Sequence, residues 1–182
     1  MTTNDDSPSA TTFLRTLAGA DRVTALDGES VDTANDYRAA IEYLLAGTSA
    51  GEVKLTHFDA LDGARRKLTV ALNGGAHHVF EVEGDTDWID NAAFVGGLLA
   101  ALRTIGYARR LVGYWGREFG QEIGFAMLTD AQFAELLLYG ATENRSVTLY
   151  LDADVVLRPS SEDEGGDPDA WEAALARFGT KG

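Results

Sequence analysis

YWGREFGQEIGFAMLTDAQFAELL, Tyr114 to Leu137, reads either as the glycine loop of a reaction centre or as a hairpin running into a helix. The choice decides the fold. Just upstream, YARRLVGYW alternates Tyr107, Arg109, Leu111 and Gly113 with Ala108, Arg110, Val112 and Tyr114, the period of a strand. QEIGFAML then places Gln121, Ile123, Phe125 and Met127 on one face. GREFG between them has a glycine at each end and suits a hairpin loop. Thr129-Asp130-Ala131-Gln132 has the spacing of a capping box, with Leu128 and Phe133 as the accompanying hydrophobic staple. Folding alone thus accounts for the polar residues after the loop. The stretch is a hairpin feeding a capped helix.

Working outward, DTDWIDNAAFVGGLLAALRTIG (85–106) predicts a helix. Asp87 is its expected N-cap and Asp90 lies in its first turn, where carboxylates complement the helix dipole. Trp88, Ala92, Val95, Leu99, Leu102 and Ile105 form one apolar stripe, and Gly106 ends it. The pair Gly96-Gly97 costs about 1 kcal/mol each in helix propensity, so the expected return is close approach to a sheet. Three strands precede it: EVKLTHFDAL, RRKLTVAL and AHHVFEVEG. A three-residue loop at Asn73-Gly74-Gly75, with Gly75 left-handed, sets Leu68 against Phe80 and Val70 against His78. It puts Lys67 against Glu81 and Arg65 against Glu83 on the opposite face, a register that separates apolar from charged residues.

SATTFLRTLAG and DTANDYRAAIEYLLAG predict two helices closed by Gly19 and Gly47, with RVTAL a short strand between them. SVTLYLDADVVLRP predicts one last strand. DPDAWEAALARFG predicts a helix capped by Asp167, whose Trp171, Leu175 and Phe178 face must dock on something. The expected organisation is a disordered lead (1–10), a single α+β domain (11–159), an acidic linker (160–168) and a C-terminal amphipathic helix (169–182). The fold class is α+β, with a mostly antiparallel sheet of about five to seven strands and helices packed largely on one face.

Composition narrows the function classes. The chain has 182 residues, 45% of them hydrophobic, which is enough for one sizeable core. No apolar run approaches a bilayer crossing, and MTTNDDSPSATT lacks the basic and apolar regions of a secretory signal. With no cysteine, these features place the chain in the cytoplasm. A net charge of −14 repels nucleic acid and anionic lipid and attracts basic protein surfaces. Five of the acids fall in SSEDEGGDPD, Ser160 to Asp169.

No cluster names a reaction. His57 and Asp59 share a strand face, and His77 could add a ligand from a neighbouring strand, the basis of an alternative reading as a small enzyme using acid–base or metal chemistry. No further ligand with metal spacing accompanies them, so no metal, cofactor or catalytic residue is assigned. A nucleophile elbow and a phosphate loop are both missing from the sequence. Asp152 and Asp154 share a strand face as strand-terminal acids. Arg109-Arg110 with Tyr107 and Tyr114 makes a small basic–aromatic patch.

The Trp-Asp-opened helix, the hairpin containing Gly-Gln and the helix opening LT-x-x-Q resemble small bacterial immunity-type proteins encoded beside polymorphic toxins. The matching positions are Trp88, Asp90, Gly120, Gln121, Leu128, Thr129 and Gln132, all within residues 85–138. The resemblance implies a non-enzymatic protein that binds and blocks a cognate toxin, and the acidic surface suits that task when the toxin is basic. Glu83, Asp85, Asp87 and Asp90 crowd one strand-to-helix corner and are the expected partner-binding residues. A third reading is an accessory or structural interaction protein with an apolar contact surface.

Overall fold

The hairpin of Tyr114–Leu137 sits at the middle of the principal sheet. β5 (Arg110–Gly116) and β6 (Glu122–Leu128) pair antiparallel, Val112 opposite Ala126, and α4 (Asp130–Thr142) follows directly. The computed structural model describes residues 10–84, 88–116, 120–142, 147–158 and 167–178. Residues 1–9 of the expected lead, the middle of the expected GREFG loop and most of the acidic linker lie outside the described residues, and Ala10, expected in the lead, opens the first helix.

The α+β class and the antiparallel pairing are as expected, but the strands are divided between two sheets. The five-stranded sheet has the order β1 (Val23–Asp27), β6, β5, β7 (Val147–Asp152), β8 (Val155–Leu157). The three-stranded sheet is β2 (Leu55–Leu61), β3 (Arg65–Leu72), β4 (His78–Glu83). Its β3–β4 register is the expected one: Leu68 opposite Phe80, Val70 opposite His78, Lys67 opposite Glu81 and Arg65 opposite Glu83. The turn differs. Asn73 (φ 49°) and Gly74 (φ 72°) are the left-handed residues, not Gly75, and Gly75 N–H closes the turn on Leu72 O at 2.8 Å. That turn sets Leu72 against Gly75, so one extra residue on the β4 side restores the observed pairing.

The expected last strand also breaks in two. It folds back at Ala153-Asp154, where Ala153 N–H donates to Asp152 Oδ1 at 2.9 Å, and β8 returns along β7 with Tyr150 opposite Val156. Asp152 therefore ends β7 while Asp154 lies in the turn, and the two do not share a strand face.

Two helices lie between the sheets. α2 (Ala34–Thr48) touches β2 on one side and β1 and β6 on the other, and α3 (Asn91–Thr104) touches β3 and β4 on one side and β5 and β7 on the other. Their core takes Leu68, Val70 and Val82 from the small sheet and Leu111, Phe125 and Met127 from the large one. A second core, built on Val112, Tyr114, Ala126 and Leu128, packs the opposite face of the large sheet against α1 (Ala10–Ala18), α4 and α5 (Pro168–Phe178). Helices thus cover both faces of that sheet rather than largely one. The cause is that both alternate sets of β5 and β6 are apolar, the pattern of strands buried on two sides.

α3 is buried nearly all round rather than along one stripe, and Phe94, Leu98 and Ala101 are as inaccessible as Val95 and Leu102. Its glycines make the sandwich possible. A Cβ on Gly97 would run into the Phe80 ring, and one on Gly96 into the backbone of Ala153. On the large sheet, a Cβ on Gly113 would stand 2.9 Å from Val95 Cγ2. The helix cap is Asp90, whose Oδ1 accepts from Ala93 N–H at 3.2 Å. Asp87, expected in that role, lies outside the described residues. α2 is closed at its start by a Thr33–Asp36 capping box and runs on through Gly47 to Thr48. α5 docks as its Trp demanded: Trp171 Nε1–H donates to Arg158 O at 2.7 Å, and its ring covers Gly140 of α4.

Candidate functional site

Strand β4 ends at Glu83 and helix α3 begins after Asp90, so one carboxylate can tie the two together. Asp90 Oδ1 caps the helix while Oδ2 accepts from Glu83 N–H at 3.3 Å. Of the four acids expected at this corner, Glu83 is exposed and Asp90 half-buried, while Asp85 and Asp87 lie outside the described residues. Beside the corner, β4, α3 and the β7–β8 turn enclose an open cleft of about 450 Å³. Phe80, Gly96 and Gly97 form its floor, and Glu81, Asp90, Asp152 and Asp154 bring carboxylates from three separate elements.

The cleft is electrostatically lopsided. Its lining holds four carboxylates against one guanidinium, Arg65, which pairs with Glu81 at 3.3 Å. Arg103 reaches Asp152 at 3.7 Å from outside the lining. His78 also lines the cleft, and burial holds its pKa below the ordinary imidazole value, so it adds no charge at neutral pH. Gly96 and Gly97 on the floor are themselves buried, packed against Ala153 and Phe80, so the acidic walls give the cleft its character.

The histidines separate into two groups. His57 and His77 stack on the outer face of the small sheet, ring centroids 4.2 Å apart and planes within 9°, although the sequence places them on different strands. Asp59 shares that face but accepts from Ala60 N–H through Oδ1 at 3.0 Å. Among the described residues, no group of three or more His, Cys, Asp or Glu side chains could hold a metal ion. His78 faces the opposite side, as expected.

The basic–aromatic patch expected at Arg109-Arg110 is dispersed. Tyr114 is buried, Arg109 donates to Gln132 Oε1 at 3.3 Å, and the Arg110 guanidinium lies over Phe133 and Phe178 at 4.6 and 4.8 Å. Tyr107 belongs to a cluster that sequence spacing did not reveal. Arg22, buried, donates to both oxygens of Glu52 at 3.0 Å and to Tyr107 Oη at 3.0 Å, and Tyr107 donates to Glu52 Oε2 at 2.6 Å. The three residues stand 30 and 85 positions apart, beyond any local motif.

Comparison with protein-family models, with curated proteins and with solved structures finds no match to this chain. Among the described residues no helix is long and apolar enough to cross a membrane.

Proposed function

We propose that the chain is a non-enzymatic binding protein of the immunity type, which docks a basic partner toxin and blocks it. The observation that carries this reading is the unbalanced cleft at the β4–α3 corner, where Glu81, Asp90, Asp152 and Asp154 surround an opening with one guanidinium among them. Exposed charge of one sign raises the association rate with an oppositely charged partner more than it lengthens the life of the complex. The test is the association rate with the product of the adjacent reading frame, at low and high salt. Glu83→Gln, Asp90→Asn and Asp154→Asn together remove three charges, and Asn caps a helix about as well as Asp. The expected outcome is slower association at low salt, a difference that shrinks as salt rises, with little change in dissociation. Equal rates at low salt overturn the reading.

The stacked His57–His77 pair favours a second reading, acid–base or metal chemistry on the outer face of the small sheet. It requires purified protein to carry stoichiometric zinc or manganese that His57→Ala releases. The binding reading expects neither the metal nor the loss.

A further inference from the structure

Strand β1 is an edge of the five-stranded sheet, and its ladder shows which of its backbone groups are open. Gly28 N–H donates to Gln121 O at 3.0 Å, and the antiparallel register continues without a bulge through Leu26 opposite Ile123 and Thr24 opposite Phe125. Bonded pairs alternate in such a ladder, so Thr24 and Leu26 face β6 while Ala25 and Asp27 point N–H and C=O away from the sheet. Ser30 Oγ–H takes the Asp27 carbonyl at 2.8 Å. The N–H and C=O of Ala25 have no partner among the described residues. The strand, VTALD, carries neither the lysine nor the proline that commonly blunts an edge.

Two neighbouring features specify what the edge would take. A groove of about 220 Å³ opens between the end of β1 and the outer side of α2, lined by Leu26, Val31, Ala39, Ala40 and Tyr43, the last 56% exposed, together with Ser30 and Asp36. An added strand turns every second side chain toward α2, so the groove fits one apolar residue of it. Asp21, Asp27, Glu29 and Asp32 are exposed alongside, while Arg22 is paired with Glu52 and Arg38 with Glu42. We propose that the β1 edge is a strand-addition site for an extended, basic, apolar-alternating segment of a protein partner. A second copy of this chain fits poorly, because pairing two such edges juxtaposes the same exposed acids on molecules of net charge −14. The site lies at the opposite edge of the large sheet from the β7–β8 turn, although Gly28 O, just past β1, accepts from Ile89 N–H beside Asp90, so of Glu83, Asp90 and Asp154 only Asp154 serves as a distant control.

The test uses a labelled peptide with Val-Thr-Leu-Thr-Val at its centre and two arginines at each end. Fluorescence anisotropy at low salt should saturate, and exchange of the Ala25 amide hydrogen should slow by about tenfold or more. Ala25→Pro deletes only an outward donor, so the β6 ladder and the circular dichroism spectrum should persist while peptide affinity falls by about tenfold. Asp27→Asn with Glu29→Gln and Asp32→Asn should weaken binding at low salt and leave it unchanged at high salt. Asp154→Asn, in the β7–β8 turn at the far edge of the sheet, should leave peptide binding intact. Equal binding by Ala25→Pro, or no slowing at Ala25, overturns the proposal. So does a dimer whose Ala25 amide is protected without peptide, which assigns the edge to a second copy.

Discussion

Glu52 is a residue whose ionisation the fold shifts strongly. Hydrogen bonds from Arg22 and then Tyr107 lower its pKa to about 2 from the ordinary 4.5. Arg22 is raised in turn, first by its bond to Glu52, and Tyr107 is raised by burial and by donating to the same carboxylate. A carboxyl whose folded pKa lies below its unfolded one stabilises the fold fully above the unfolded value, and that contribution fades as pH falls through the folded value. The stability difference between the parent and Glu52→Gln should therefore be constant above about pH 5 and shrink between 4.5 and 2. Urea unfolding at several pH values reads it, and a pH-independent difference refutes the charge assignment. Gln132 does more than its place in the capping box requires. Its Oε1 accepts from Thr129 N–H at 2.9 Å and from Arg109, and its Nε2–H donates to Leu17 O at 2.6 Å, joining α4 to α1. Thr129→Ala should cost about 1 kcal/mol, the worth of a cap, and Gln132→Ala should cost more because three bonds are lost. Denaturant midpoints compare the two, and a Gln132→Ala loss no larger than that of Thr129→Ala contradicts the joining role.

At the scale of elements, α3 governs the architecture because both sheets lean on it. Gly97 meets Phe80 and Gly96 meets Ala153, so two poor helix formers are kept where a side chain would push a sheet away. Gly97→Ala should destabilise by about 1–3 kcal/mol through overpacking. Shortening the opposing ring relieves the clash, so Gly97→Ala with Phe80→Leu should cost less than the two single changes added together. Additive costs would mean that α3 does not press on β4 at this point. The sequence showed the helix and its glycine pair plainly, and close approach to a sheet was the right expectation. Burial on nearly every side was not expected, because a stripe fitted at one angle treats Phe94, Leu98 and Ala101 as the back of the helix. Only a second sheet on that side makes them core.

For the whole molecule, charge placement matters more than its sum. The net charge of −14 is spread over the corner cleft, the β1 edge and the acidic stretch Ser160–Asp169. Charges farther than roughly 8 Å from a contact are screened at physiological salt. If the contact is at the corner, neutralising Glu83, Asp90 and Asp154 should slow association with a basic partner more than deleting residues 160–166 does. Stopped-flow rates at two ionic strengths separate the two, and a larger effect of the deletion would move the contact away from the corner.

Local chemistry was enough to specify the hairpin, the Thr129 box and the β3–β4 register, because each rests on residues near in sequence that must satisfy their own backbone or side. By the same means the sequence determined the α+β class. It did not determine how many sheets the strands make, and it merged β7 and β8 into one run, which the chain breaks where Ala153 turns against Gly96. It also could not assemble Arg22, Glu52 and Tyr107, stack His57 on His77, or disperse Arg109 and Arg110 into separate contacts. Those groupings depend on side chains from distant segments meeting at a few ångströms. Such meetings are set by the packing of two sheets around α2 and α3, which no local period encodes.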